Sequence, residues 1–206
     1  MIEVFCSTTG VFVENTYFLI NSDEKWGVIV DPGQGALKHL KQLKVEGISW
    51  KAIFLTHAHF DHLMGLQEVV AFTNAPIYLH KEDLFLYNLF VEEAAKFGYK
   101  EQKLPQPDFF WKDQDEIAIG KTKFEVIHTP GHTPGSVCLK WGKALITGDT
   151  LMYRTIGRTD WFGSFNEIQT SITEKLFNLP DELVIYPGHH KTTTIGEEKK
   201  FNLEIF

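Results

Sequence analysis

Arginine is nearly missing from this 206-residue chain, occurring only at Arg154 and Arg158. With a formal net charge of -7, that scarcity excludes a protein built to neutralise phosphates, so no nucleic-acid partner is expected. The Lys199-Lys200 pair follows two glutamates and reads as a solvated helix face. Cysteine is equally sparse. Cys6 and Cys138 lie in apolar contexts and make no disulfide framework, which fits a reducing, cytoplasmic setting. No apolar run approaches the roughly twenty residues a bilayer requires. Met1-Ile2-Glu3-Val4-Phe5 has no basic flank leading into a long apolar region, so neither membrane insertion nor secretion is expected.

Hydrophobic residues at 43% and charged residues at 23% describe an ordinary globular chain. The length predicts one domain over 1–206. Val11 to Ile20 and Trp26 to Val30 read as antiparallel strands across a polar turn, and Ala36, Leu37, Leu40 and Leu43 recur at helical spacing. A strand from Lys51 to Leu55 follows, then a helix starting near Asp61 and a short strand at Ile77 to Leu79. Residues 81–115 form a helical, then irregular, connector between two halves. Its aromatics, Phe85, Phe90, Phe109, Phe110 and Trp111, are candidates for a pocket wall.

Strands are then predicted at Glu116 to Ile119, Thr122 to Ile127, Val137 to Lys140, Ala144 to Thr147 and Leu183 to Tyr186. Helices are predicted around Asn166 to Phe177 and near Ile195 to Phe201. Strand, strand, helix, strand occurs twice, an order satisfied by a mixed α/β, four-layer αββα sandwich.

The chemistry is concentrated in Thr56-His57-Ala58-His59-Phe60-Asp61-His62, directly after an apolar run. Imidazoles and a carboxylate at this density match the N/O donor set of zinc and related ions. Extended backbone places alternate side chains on one side, so His57 and His59 can share an ion while Asp61 and His62 turn toward a second position.

Three later glycine-framed turns each add a ligand after an apolar run: His132 in Gly131-His132-Thr133-Pro134-Gly135, Asp149 in Gly148-Asp149-Thr150, and His189 in Pro187-Gly188-His189. A single open catalytic ion needs only three protein ligands. Seven donors therefore predict two divalent cations, zinc first, with iron or manganese also compatible with the donors. His57, His59 and His132 would hold one ion, Asp61, His62 and His189 the other, with Asp149 bridging. Ions about 4 Å apart would share a hydroxide.

The ordered motifs HxHxDH, Gly-His-Thr-Pro-Gly-Ser, Gly-Asp-Thr and Pro-Gly-His resemble the metallo-β-lactamase superfamily. Within it the chain is similar to the glyoxalase II (hydroxyacylglutathione hydrolase) group. Gly157-Arg158-Thr159-Asp160 and Thr193-Thr194-Ile195-Gly196-Glu197-Glu198-Lys199 resemble a short bacterial branch of that group. The resemblance implies the αββα fold and the same ligands at His57, His59, Asp61, His62, His132, Asp149 and His189.

The longer enzymes of that group carry a C-terminal helical domain that grips glutathione, and none is expected here. Where the short branch often has His-Gly-Pro, this chain has His189-His190-Lys191. The expected reaction is attack by the bridging hydroxide on a thioester carbonyl, in S-lactoylglutathione or related acyl thiols. Asp61 and Asp149 are the catalytic carboxylates, and Arg158 is a candidate contact for a substrate carboxylate. The alternatives within the superfamily are a mononuclear iron persulfide dioxygenase and a lactone or β-lactam hydrolase, the last weakened by the expected lack of secretion. A noncatalytic binding module would not need seven aimed ligands.

Overall fold

The computed structural model describes residues 1–43 and 45–205. They form two compact units, Met1–Phe110 and Trp111–Phe206. The boundary falls inside the 81–115 stretch.

The first unit is built on a mixed sheet. Strand β1 (Glu3–Thr9) pairs antiparallel with β2 (Glu14–Asn21), and β2 pairs antiparallel with β3 (Trp26–Val30). Helix α1 (Ala36–Gln42) then returns the chain so that β4 (Ser49–Phe54) runs parallel to β3. Helix α2 (Leu66–Thr73) does the same for β5 (Ile77–His80) beside β4. Helices α3 (Leu84–Asn88) and α4 (Phe90–Lys96) precede the edge strand β6 (Phe109–Trp111). Every residue of β2 and β3 is buried, which is why the stretches 17–20 and 26–30 are apolar on both faces instead of alternating.

Sequence and structure differ at four places here. Val11 to Val13 form the β1–β2 turn, because Gly10 (φ 69°) and Val13 (φ 58°) adopt left-handed backbone that a strand cannot continue through. The expected helix near Asp61 is a 3-10 turn, Phe60–His62, with α2 beginning only at Leu66. Its entry is pinned by Gly65, whose N–H donates to the Pro32 carbonyl at 2.8 Å. A Cβ at Gly65 would lie 2.2 Å from the Gly33 carbonyl oxygen. The long aromatic helix is interrupted at Leu89, where φ -85° and ψ 1° join α3 to α4. Of the candidate wall aromatics, Phe90 and Trp111 are buried core residues, while Phe85, Phe109 and Phe110 are exposed; Phe109–Trp111 form β6 where an irregular stretch is expected from the sequence.

In the second unit, β7 (Glu116–Ile119), β8 (Thr122–His128), β9 (Val137–Trp141) and β10 (Ala144–Gly148) form a meander. A small hairpin follows, β11 (Leu151–Met152) with β12 (Thr155–Ile156). Helix α5 (Phe165–Thr170) runs on through a π turn at Ser171–Lys175. Strand β13 (Val184–Pro187) lies parallel to β10, and β14 (Thr193–Thr194) pairs with β13 before helix α6 (Ile195–Phe201). The Ser164 and Thr194 hydroxyls accept from Glu167 N–H and Glu197 N–H and cap α5 and α6. The core of this unit includes Cys138, Leu145, Ile168, Ile172, Ile185 and Ile195, all fully buried. Two-residue strands such as β11, β12 and β14 carry too little apolar pattern to be read from sequence.

Ile185 lies on β13 in the middle of that core, so Ile185→Ala is expected to cost about 2–5 kcal/mol of stability. Urea denaturation should show a lower midpoint at unchanged slope.

Candidate metal centre

In the first unit the ligand stretch leaves β4 at its C-terminal end, beside the C-terminal end of β3. Val30 pairs with Phe54, and Asp31 N–H donates to the Phe54 carbonyl at 3.0 Å. Asp31 has left-handed backbone (φ 47°), which turns its carboxylate under the loop. That carboxylate accepts three donors: Thr56 N–H on Oδ1 at 2.8 Å, and the Thr56 hydroxyl (2.6 Å) and His62 Nδ1 (3.2 Å) on Oδ2.

Because the Thr56 hydroxyl proton goes to Asp31, its oxygen accepts from His57 Nδ1 at 3.0 Å. One buried acid therefore fixes the tautomer of two imidazoles, leaving Nε2 of each as the lone-pair atom. The rings of His57 and His59 lie 5.0 Å apart and those of His57 and His62 4.2 Å apart. Asp61 Oδ2 is 3.9 Å from His62 Nε2. His57 and His62 are buried, and His59 and Asp61 half-buried. His57, His59, Asp61 and His62 are thus gathered at one strand end.

Further acids hold the loop from behind. Asp83 Oδ2 accepts Ala58 N–H at 2.8 Å, fixing the backbone between His57 and His59. Glu14 Oε2 accepts the Thr16 hydroxyl at 3.1 Å, whose oxygen accepts Gly33 N–H at 2.9 Å. Gly33 has no room for a side chain, since a Cβ would sit 1.9 Å from Glu14 Oε2. Burial pushes the Glu14 carboxyl well above its ordinary range; His62 opposes the rise and Asp31 and Asp61 add to it.

In the second unit the three remaining candidates are also brought together. Gly148 pairs with Pro187 across the parallel β10 and β13, and Gly188 N–H donates to the Gly148 carbonyl at 2.8 Å. This places the Asp149 and His189 turns side by side. The His132 loop is closed by Thr129 N–H donating to the Ser136 carbonyl at 2.8 Å, and is tied to the Asp149 turn by the 3.0 Å contact of Thr129 and Thr150 hydroxyls.

His132 Nδ1 donates to the Arg158 carbonyl at 2.8 Å, so Nε2 is again the lone-pair atom. That Nε2 lies 3.5 Å, and His189 Nε2 3.4 Å, from the same oxygen, Asp149 Oδ2. Both separations exceed a good N–H···O bond. With His132 Nε2 unprotonated, lone pairs face each other there, an arrangement that a cation stabilises. The donor chemistry of both sets therefore fits divalent metal.

The Arg158 side chain is exposed, and its guanidinium forks onto Asp160, with Nε at 3.1 Å and NH2 at 2.7 Å. The part of Arg158 that touches a candidate ligand is its carbonyl. Sequence reading did not single out Asp31, Glu14 or Asp83. Asp31 left a signal, an acid closing a strand before Pro32-Gly33; the others are scattered in sequence and left none.

Asp31→Asn keeps the size of the side chain but exchanges an acceptor oxygen for a donor. It is expected to weaken divalent metal binding by about 10–100-fold. Competition with a chromophoric chelator measures this, and circular dichroism shows whether the fold is kept.

The family model described as the metallo-beta-lactamase superfamily matches residues 9–189. Hydroxyacylglutathione hydrolase GloC of Haemophilus influenzae is 34% identical over 189 residues, covering 89% of both chains. The crystal structure of BLEG-1 B3 metallo-beta-lactamase is 35% identical and superposes with a TM-score of 0.89 over 100% of this chain and 99% of its own. That of TTHA1623 in a di-iron-bound form is 34% identical, with a TM-score of 0.87 over 97% and 99%. The mixed α/β fold expected from the element order is the fold of these proteins. The chain belongs to the metallo-beta-lactamase superfamily.

Proposed function

We propose that this protein is a metal-dependent hydrolase whose seven ligands hold two divalent cations and whose substrate is a thioester of the hydroxyacylglutathione kind. The observation that carries the reading is the pair of imidazole nitrogens placed 3.5 and 3.4 Å from one oxygen of Asp149. It is supported by the similarity to GloC and by the di-iron form of TTHA1623. We take the two units as one functional domain, since the family match runs across their boundary.

In this reading His57, His59 and His132 would hold one ion and Asp61, His62 and His189 the other, with Asp149 shared between them. Zinc is the proposed metal, and the same donors accept iron or manganese. When bound, two such cations supply a water ionised near neutral pH and a Lewis acid for the carbonyl oxygen. The chain's own residues do the positioning. Asp31 and the Arg158 carbonyl keep Nδ1 of three imidazoles protonated and their Nε2 atoms aimed. Asp61 orients the attacking water by accepting its hydrogen bond. A thiolate leaves without a strong acid, which suits a thioester. Arg158 can meet a substrate carboxylate only by exchanging Asp160.

Cys6 and Cys138 are both free thiols, which accords with the proposed cytoplasmic setting. Among the described residues no helix is long and apolar enough to cross a membrane.

Elemental analysis of purified protein, run beside a panel containing S-lactoylglutathione and simpler acyl thiols, tests the proposal. Two metals per chain and thioester turnover are expected. One iron per chain with oxygen consumption on a persulfide contradicts it. Asp149→Ala should lose most bound metal and at least about a hundredfold in kcat, because it removes the bridge between the ions; normal metal content and turnover would contradict the bridging role.

A further inference from the structure

The segment from Gly157 to Ser164 forms a strap around His132. A Cβ at Gly157 would lie 2.6 Å from His132 Nδ1 and 2.0 Å from the Asp149 carbonyl oxygen. The Arg158 carbonyl accepts His132 Nδ1. At the other end a Cβ on Gly163 would lie 2.7 Å from the His132 carbonyl oxygen and 2.4 Å from that of Gly131. Ser164 N–H donates to the Gly131 carbonyl at 2.7 Å. Both ends of the strap are therefore fixed on the backbone and ring of a proposed ligand.

Between these ends lie an ion pair, one threonine (Thr159) and two aromatics. Arg158 and Asp160 neutralise each other through a two-pronged ion pair. Beyond Thr159 and this pair, the strap carries two adjacent aromatics. Trp161 and Phe162 stack at 6.4 Å with 22° between their planes. Phe162 is 42% exposed, and Phe165, at the start of α5, is 47% exposed. Phe162 also has left-handed backbone, φ 66°, a costly conformation for a bulky residue that persists where its surroundings dictate it. The clamp of Gly163 on Gly131 and His132 supplies that constraint. Consecutive Cα atoms are about 3.8 Å apart, so Phe162 is the immediate neighbour of the glycine that packs on the His132 carbonyl.

We infer that Trp161 and Phe162 are specificity-determining residues, a pre-ordered apolar plate that packs against an aliphatic or aromatic arm of the substrate. The inference rests on the thioester reading and adds a preference to it: among acyl thiols turned over at this site, affinity rises with the apolar surface of the arm. Two rings already stacked lose little entropy on binding, which favours contact by packing.

The test uses metal-loaded full-length protein and S-methyl, S-propyl and S-hexyl thioethers of N-acetylcysteamine, which bind without being hydrolysed. Affinity for the wild type, measured by calorimetry, is expected to rise about two- to fourfold per methylene. Phe162→Asn, chosen because asparagine accepts left-handed backbone, and Trp161→Ala should both flatten that dependence. Phe162→Tyr should restore it.

A wild type indifferent to chain length, or a dependence unchanged in both variants, overturns the inference. The matching acyl-N-acetylcysteamine thioesters separate this from the functional reading. Chain-length-dependent thioether binding without turnover of any thioester supports the plate and removes the hydrolase assignment alone.

Discussion

An imidazole is a good metal ligand when its other nitrogen is kept protonated and the ring is held still, and in this protein that constraint reaches far beyond the proposed ligands themselves. Asp31 meets it for His57 and His62 at once, through Thr56 in one case and directly in the other. To do so it must lie at the end of β3 with its backbone reversed in hand, beside the end of β4. The parallel pairing of β3 and β4, the close approach at Gly33 and the buried Glu14–Thr16 pair all serve to keep that turn in place.

The second unit solves the same problem with other parts. A main-chain carbonyl, that of Arg158, replaces the buried acid as acceptor for His132. A parallel pair of strands, β10 and β13, again sets two ligand turns side by side. The recurrence has a physical basis: strand ends in a sheet are rigid, and the turns leaving parallel neighbours open on the same edge. Glycines at these turns permit contacts that no side chain would allow, as at Gly131, where φ is 136° and a Cβ would sit 2.1 Å from the Ile168 nitrogen.

Much of this was legible in the sequence. Candidate ligands at strand ends leave a short-range signal, an apolar run followed by His, Asp or Gly-His, and His57 to His62, His132, Asp149 and His189 all carry it. The long elements were legible for the same reason, since the second half of β2, β3 and most of β9 are apolar runs and α1 has helical spacing. What escaped was decided by contacts distant in sequence. Glu14 and Asp83 act on residues well over twenty positions away in the chain, and the hairpin of β11 and β12 is too short to show a period. The interruption at Leu89 and the reversed backbone of Val13 and Phe162 are likewise tertiary outcomes with no local signature.

The central claim is that the two ligand sets hold a pair of cations bridged by Asp149. Anomalous diffraction from crystals of the metal-loaded protein, recorded on either side of the metal absorption edge, tests it most directly. The account predicts two peaks, one against His57, His59 and His132 and one against Asp61, His62 and His189, with the Asp149 carboxylate between them. A single peak, or peaks away from these side chains in protein that still turns over thioesters, would contradict it.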